Sequence, residues 1–112
     1  MTSISDIRAK LLSKEFSVEE VVNAALQNAK AKESYGAFLE LYDDTKEQIE
    51  YAQKLLDEKG EEAPALCGIP VAVKDNMLVK GHVATSASKI LDGYVAPYDA
   101  TVIAKLKEQG AI

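Results

Sequence analysis

Leu66-Cys67-Gly68-Ile69-Pro70-Val71-Ala72-Val73-Lys74-Asp75-Asn76 is the stretch whose reading determines the fold class. Its Ile69–Val73 section is short and continuously apolar, the pattern of a strand covered on both faces. Pro70 has no N–H to give a ladder, so it belongs at the start or the edge of such a strand. Such a strand, set among helices, points to an α/β protein.

Working outward, the preceding residues read as helices. Ile4, Ile7, Leu11 and Leu12 share one side of a short helix over about Ile4–Leu12. Ser17-Val18-Glu19-Glu20 is a capping box, in which serine and glutamate satisfy each other's backbone amides. Val18, Val21, Val22, Ala25, Leu26 and Ala29 follow at helical spacing and form an apolar face. Ala37–Tyr42 reads as a strand. Asp44 and Glu47 suggest a second capping box before a helix carrying Ile49, Ala52, Leu55 and Leu56, which Gly60 ends. On the other side of the lysine, Met77–Pro97 reads as loop. Asp99 caps a last helix with Val102, Ile103 and Leu106, Gly110 stops it, and Ala111-Ile112 opens another strand. Two strands with four helices cannot cover both faces of a sheet. The expectation is therefore the N-terminal piece of a larger α/β domain, with a complete small domain as the alternative. Within residues 1–112, residues 1–62 are mostly helical and acidic, and residues 63–112 hold the lysine-bearing strand, the loop and a helix.

Composition narrows the function. The chain has 112 residues, 47% apolar and 28% charged, which fits a globular domain rather than a disordered one. Its 13 basic and 18 acidic side chains give a net charge of −5. That balance leaves no basic surface of the size that nucleic acid or an anionic membrane attracts. The acidity is concentrated in residues 1–62, with 8 basic and 14 acidic side chains, whereas residues 63–112 hold 5 and 4. No apolar run approaches the roughly 20 residues needed to span a bilayer. Met1-Thr2-Ser3-Ile4-Ser5-Asp6 lacks the basic and apolar regions of a signal peptide. The single cysteine, Cys67, cannot build a disulfide framework, and no Cys/His cluster has metal-ligand spacing. A cytoplasmic protein without a metal is expected. No P-loop, GxGxxG, CxxC or HExxH pattern occurs.

Lys74 carries the most chemistry. An ammonium in an apolar surround is disfavoured relative to the amine. A lysine following an apolar strand can therefore act as a general base toward a serine hydroxyl. The other reading places Lys74 just past the strand, extended into water and paired with Asp75. Thr85-Ser86-Ala87-Ser88 supplies hydroxyls that either support the lysine or bond only to local backbone. His82 stands in a loop without a patterned partner, and Cys67 reads as a small buried hydrophobe. Asp43 and Asp44 are accounted for by capping and solvation.

Gly68-Ile69-Pro70-Val71-Ala72-Val73-Lys74-Asp75-Asn76 resembles the lysine-bearing segment of the amidase signature family. Ala84–Leu91, Val95–Val102 and Lys105–Ile112 extend the resemblance. Ala87-Ser88-Lys89-Ile90-Leu91 and Pro97-Tyr98-Asp99-Ala100-Thr101-Val102 are similar to the tRNA-dependent amidotransferase branch of the family. The resemblance implies an α/β fold around a mixed, largely parallel central sheet covered by helices, and a Ser–cis-Ser–Lys triad. Lys74 falls on the lysine of that triad, as general base and proton relay. Ser88, Ser86 and Asn76 fall in supporting positions, and the nucleophilic serine lies beyond residue 112. For this branch the implied activity is glutamine hydrolysis that feeds ammonia to two partners, the B and C components of a heterotrimeric amidotransferase. The B component binds the misacylated Glu-tRNA(Gln), and the complex uses ATP, with no cofactor held by these residues. A stand-alone amidase and an inactive, interaction-only fragment are the alternatives.

Overall fold

A computed structural model describes residues 3–112. The chain divides into two compact units, one running to Val71 and taking in Gln109–Ile112, the other spanning Ala72–Glu108. The compositional break at 62/63 and this division differ for a physical reason. Ala63, Cys67 and Ile69 are buried with the helices that precede them, so the polar-to-apolar change falls inside the first unit.

Three helices build the first unit: α1 (Ile4–Leu12), α2 (Val18–Ala31) and α3 (Lys46–Lys59). Helices α1 and α2 each begin with a reciprocal capping box, Ser3 with Asp6 and Ser17 with Glu20. Both acids titrate below the usual carboxylate range, because the backbone amide and then the hydroxyl of the capping serine bond to the charged form. The N-cap of α3 is Thr45 rather than the expected Asp44, and the Thr45 side chain makes no capping hydrogen bond. Helix α3 starts at Lys46, so Glu47 sits one position too early to reach back to a cap. Gly60 ends α3 at φ +53, as expected.

Leu11, Val18, Val22, Ala52, Leu56, Ala63, Cys67 and Ile69 form the core of this unit. Two polar side chains tie its parts together. The Arg8 guanidinium donates to the carbonyls of Pro64 (2.7 Å), Ala63 (2.7 Å) and Glu61 (2.9 Å). These carbonyls lie in and just after the 3-10 turn Gly60–Glu62. One planar fork on α1 thus satisfies three acceptors after α3. Gln53 on α3 accepts from the Val18 amide at 3.0 Å, which occupies an otherwise orphan donor at the start of α2. Gly68 and Gly110 are needed as glycine. Each has φ above +70°, and an added Cβ would lie 2.9 Å from Val18 Cγ2 or from Cys67 Sγ respectively.

No strand is assigned among the described residues, which corrects the strand expectations at residues 37–42, 69–73 and 111–112 and leaves the mixed, largely parallel central sheet unformed here. Ala37–Tyr42 is irregular, with Phe38 and Leu39 exposed. Around Ile69–Val73 there is a single exchange: Ile112 donates to the Ile69 carbonyl (3.0 Å) and Val71 donates to the Ile112 carbonyl (2.7 Å). Two bonds from one residue to positions on either side of Pro70 follow the parallel pattern, but one such exchange is not a sheet. A strand is defined by its neighbour. An apolar run shows only that a segment could pair.

In the second unit, α4 (Thr101–Glu108) follows a long loop. The loop folds back on itself at an isolated antiparallel bridge, Val83 with Val95, flanked by bonds from Ala84 to Tyr94 (3.0 Å) and from Ala96 to His82 (2.9 Å). Val79, Ala84, Ala96 and Ile103 are the buried apolar residues of this unit.

Arg8→Ala should lower the stability of the chain by about 2 kcal/mol, since hydrogen bonds to a charged donor are lost and three carbonyls must find other partners. Arg8→Lys should recover less than half of this, because an ammonium cannot reproduce the fork. Urea denaturation followed by helical circular dichroism measures both; a lysine variant as stable as the native chain would contradict the assignment.

Candidate functional site

Lys74 opens a tight turn in the second unit. Its carbonyl accepts from the Met77 amide at 3.0 Å, which puts Asp75 and Asn76 at the two central positions. A second tight turn follows at Thr85–Ser88, closed by the Ser88 amide donating to the Thr85 carbonyl at 2.9 Å. Its central residues, Ser86 (φ +50) and Ala87 (φ +56), both lie in the left-handed region. Two consecutive positive φ values are the mark of a type I′ turn, which normally takes glycine, asparagine or aspartate. Serine and alanine carry a Cβ there, at a cost of about 1–2 kcal/mol per residue. Gly81 and Gly93 occupy the remaining left-handed positions of this unit.

Asp75 joins the two turns. Its carbonyl accepts from the Ser86 amide (3.1 Å). Its carboxylate accepts from the Thr85 amide (3.1 Å), from the Thr85 hydroxyl and, at the longer distance of 3.4 Å, from the Ala87 amide. The Thr85 hydroxyl in turn accepts from the Ala87 amide at 3.1 Å. The threonine hydroxyl, then its amide, hold the Asp75 carboxyl below the usual carboxylate range, against a smaller opposing effect of burial.

A third anchor sits at the start of α4. Asp99 accepts from the Lys80 amide (2.8 Å) and from Lys107 Nζ (2.8 and 3.0 Å). Burial pushes this carboxyl up, but the bonds from Lys107 and Lys80 outweigh it and leave it below the usual range.

Lys74 itself is exposed, as are Val71 and Ala72. The expectation of a desolvated lysine strand is thereby corrected for this structure. Ile69 is buried in the helical core of the first unit, whereas Pro70 and Val73 are half-buried and Val71 and Ala72 exposed. The water-facing reading fits, but without its ion pair: among the described residues no carboxylate pairs with Lys74, and Asp75 turns to Thr85 instead. Ser86 is exposed and Ser88 half-buried, each tied through its backbone, and among the described residues neither hydroxyl is bonded to the lysine. Asn76 is exposed beside Asp75. His82 belongs to the bridged loop. Cys67 is buried in the first unit with Sγ donating to the Ala52 carbonyl at 3.3 Å, and burial raises its thiol, which makes it a poor nucleophile. Among the described residues no group of three or more His, Cys, Asp or Glu side chains could hold a metal ion, and no helix is long and apolar enough to cross a membrane.

The reading of the sequence missed Asp75 and Thr85 as a pair. The signal available was a turn of serine and alanine where glycine would be expected, which only the backbone angles make visible. Ala87→Gly should stabilise the second unit by about 1 kcal/mol, measured by hydrogen exchange of the Ser88 amide, because glycine adopts positive φ without strain. Faster exchange would contradict it. Because the folded carboxyl lies below its unfolded value, the Asp75 bonds stabilise fully above about pH 4 and are lost as pH falls through the lower folded value. NMR shifts of the Thr85 and Ala87 amides should therefore titrate together below the ordinary aspartate range; independent or ordinary midpoints would contradict the arrangement.

The chain matches the family model described as Amidase over residues 20–112. It is 45% identical over 111 residues to the A subunit of the glutamyl-tRNA(Gln) amidotransferase of Fusobacterium nucleatum, covering 96% of this chain and 22% of that protein. It is 47% identical to the protein of the same name from Desulfatibacillum aliphaticivorans, over 98% of this chain and 23% of the relative. To the one from Clostridium novyi it is 48% identical over 104 residues, or 89% of this chain and 21% of the relative. The chain thus spans under a quarter of the length of these relatives. With a family match over most of its length and relatives of one name at this identity, the chain belongs to the amidase family.

Proposed function

We propose that this chain is the lysine-bearing part of a glutaminase subunit in a tRNA-dependent amidotransferase. The observation that carries the reading is the position of Lys74 at the head of a turn that Asp75 fixes, inside a segment matching the amidase family. In its neutral form the Lys74 amine accepts a proton relayed through a bridging serine from the nucleophilic serine, which attacks the glutamine amide carbon. As the acyl-enzyme forms, the same relay returns the proton to the leaving nitrogen and ammonia departs; water then frees glutamate. Both serines and the oxyanion hole come from the length of the relatives that this chain does not span. Ser88, Ser86 and Asn76 support the lysine from the two turns.

The names of the relatives support glutamyl-tRNA(Gln) as the acceptor. In this reading the ammonia passes to the B partner, with the C partner completing the heterotrimer, and B uses ATP to amidate the misacylated tRNA. The charge balance supports that division of labour. A chain with a net charge of −5 makes few phosphate contacts, so the tRNA is held mainly by the partner, in the cytoplasm.

In the complete amidotransferase, Lys74→Ala should lower glutaminase turnover by about 10²–10⁴-fold, the usual worth of a positioned base, while the protein stays folded. Lys74→Arg should fail equally, since a guanidinium keeps its proton. A near-native rate in either variant would reject the assignment. Hydrolysis of free amides by the full-length protein without partners or misacylated tRNA would favour a stand-alone amidase. Turnover by the 112 residues alone would overturn the placement of the serines elsewhere.

A further inference from the structure

The arrangement around Asp75 has a feature that turn formation alone does not explain. A type I′ turn forms readily with glycine, yet Ser86 and Ala87 take the left-handed region with a Cβ each. Such residues persist where their surroundings over-determine them. Here the surroundings are Asp75 and Thr85. Asp75 spends its carbonyl and both carboxylate oxygens on Thr85, Ser86 and Ala87. Asp75 is covalently next to Lys74, so whatever fixes its backbone also fixes where the lysine side chain starts.

The same bonds settle what the carboxylate does not do. A carboxylate adjacent to an ammonium would ordinarily turn back and pair with it, which favours the protonated form. With donors from Thr85 and Ala87 around it, the Asp75 carboxylate is directed away from its neighbour, and Lys74 has no ion pair among the described residues. A lysine that must give up its proton is served by both effects: a fixed root and no competing counter-ion.

We infer that Asp75 and Thr85 form a clasp that positions Lys74 for proton transfer, holding the Lys74–Met77 turn against the strained Thr85–Ser88 turn. The inference rests on the reading of Lys74 as the base. Asp75 and Thr85 are positioning residues, acting through Lys74. The threonine hydroxyl is the bridging atom, since it donates to Asp75 and accepts from Ala87. Its loss removes two of the bonds that hold the turns together and leaves only backbone amides on Asp75, whereas serine at the same place keeps the bridge.

The test is glutamine hydrolysis by the complete amidotransferase carrying Thr85→Val, Thr85→Ser, Thr85→Val with Ala87→Gly, and Lys74→Ala, with thermal midpoints measured alongside. Thr85→Val should lower kcat by about 10–100-fold with KM unchanged within about twofold, the signature of a misplaced catalytic group rather than lost substrate binding. Thr85→Ser should stay within about threefold of the native kcat, because it keeps both hydrogen bonds. Adding Ala87→Gly to Thr85→Val should restore a large part of the rate, since glycine holds the turn without the clasp. The inference is overturned if Thr85→Val keeps its kcat, if serine does not rescue it, or if the glycine variant folds at the native midpoint and stays slow. An active Lys74→Ala enzyme would instead reject the base on which the inference stands, so the two failures are told apart.

Discussion

The second unit depends on what one carboxylate accepts. Asp75 sits in the middle of a tight turn, where its carbonyl and its side chain point to the same neighbour, the Thr85–Ser88 turn. Backbone amides and a hydroxyl converge on the charged oxygens, and bonds to a charged acceptor are about twice as strong as neutral ones. The strain of two left-handed residues is held in place by these bonds. Without them, the local preference of Ser86 and Ala87 would carry the backbone back to negative φ, and the loop after Lys74 would lose its shape. Asp99 plays a related part at α4, where it gathers the Lys80 amide and the Lys107 ammonium.

The first unit solves a different problem, how to bury a small core with three helices and an irregular segment. Its apolar residues are modest in size, and Val18 and Cys67 are its most completely enclosed side chains of any volume. Directional contacts add to this packing. Arg8 binds the chain after α3 to α1, and Gln53 binds α3 to the start of α2. Gly68 and Gly110 let backbone approach where a methyl group would collide with Val18 or Cys67. The segment that leads to Lys74 leaves this unit from a fixed place, with Ile69 and Val71 bonded to Ile112.

What could be read in advance divides by sequence distance. The helices α1 to α4 were legible because their apolar spacing lies within one or two turns, and the Ser17 box because its partners are three residues apart. The Asp44 box misled because the same residue types fit a start at either of two neighbouring positions. The expected strands did not form, since a strand exists only through a partner that the run itself does not specify. Lys74 was legible as a residue of interest, but its sequence left two readings open, buried or water-facing, because burial depends on what covers Val71 and Ala72. The bond of Asp75 to Thr85 spans ten positions, and those of Arg8 span more than fifty. No local pattern announces contacts of that range.

These pieces join in one claim: a chain of the amidase family presents its lysine from a backbone that a single aspartate and a single threonine hold in strain. If that is so, the two side chains act as one device, and breaking either breaks the whole. Hydrogen exchange of the Ser88 amide, which closes the strained turn, reads this directly in Asp75→Asn, Thr85→Val and the double variant. A shared clasp requires each single change to speed exchange substantially and the double change to add nothing further. Exchange that is unaffected by the single changes, or accelerations that multiply in the double variant, would show that the two residues act independently and that the clasp does not exist.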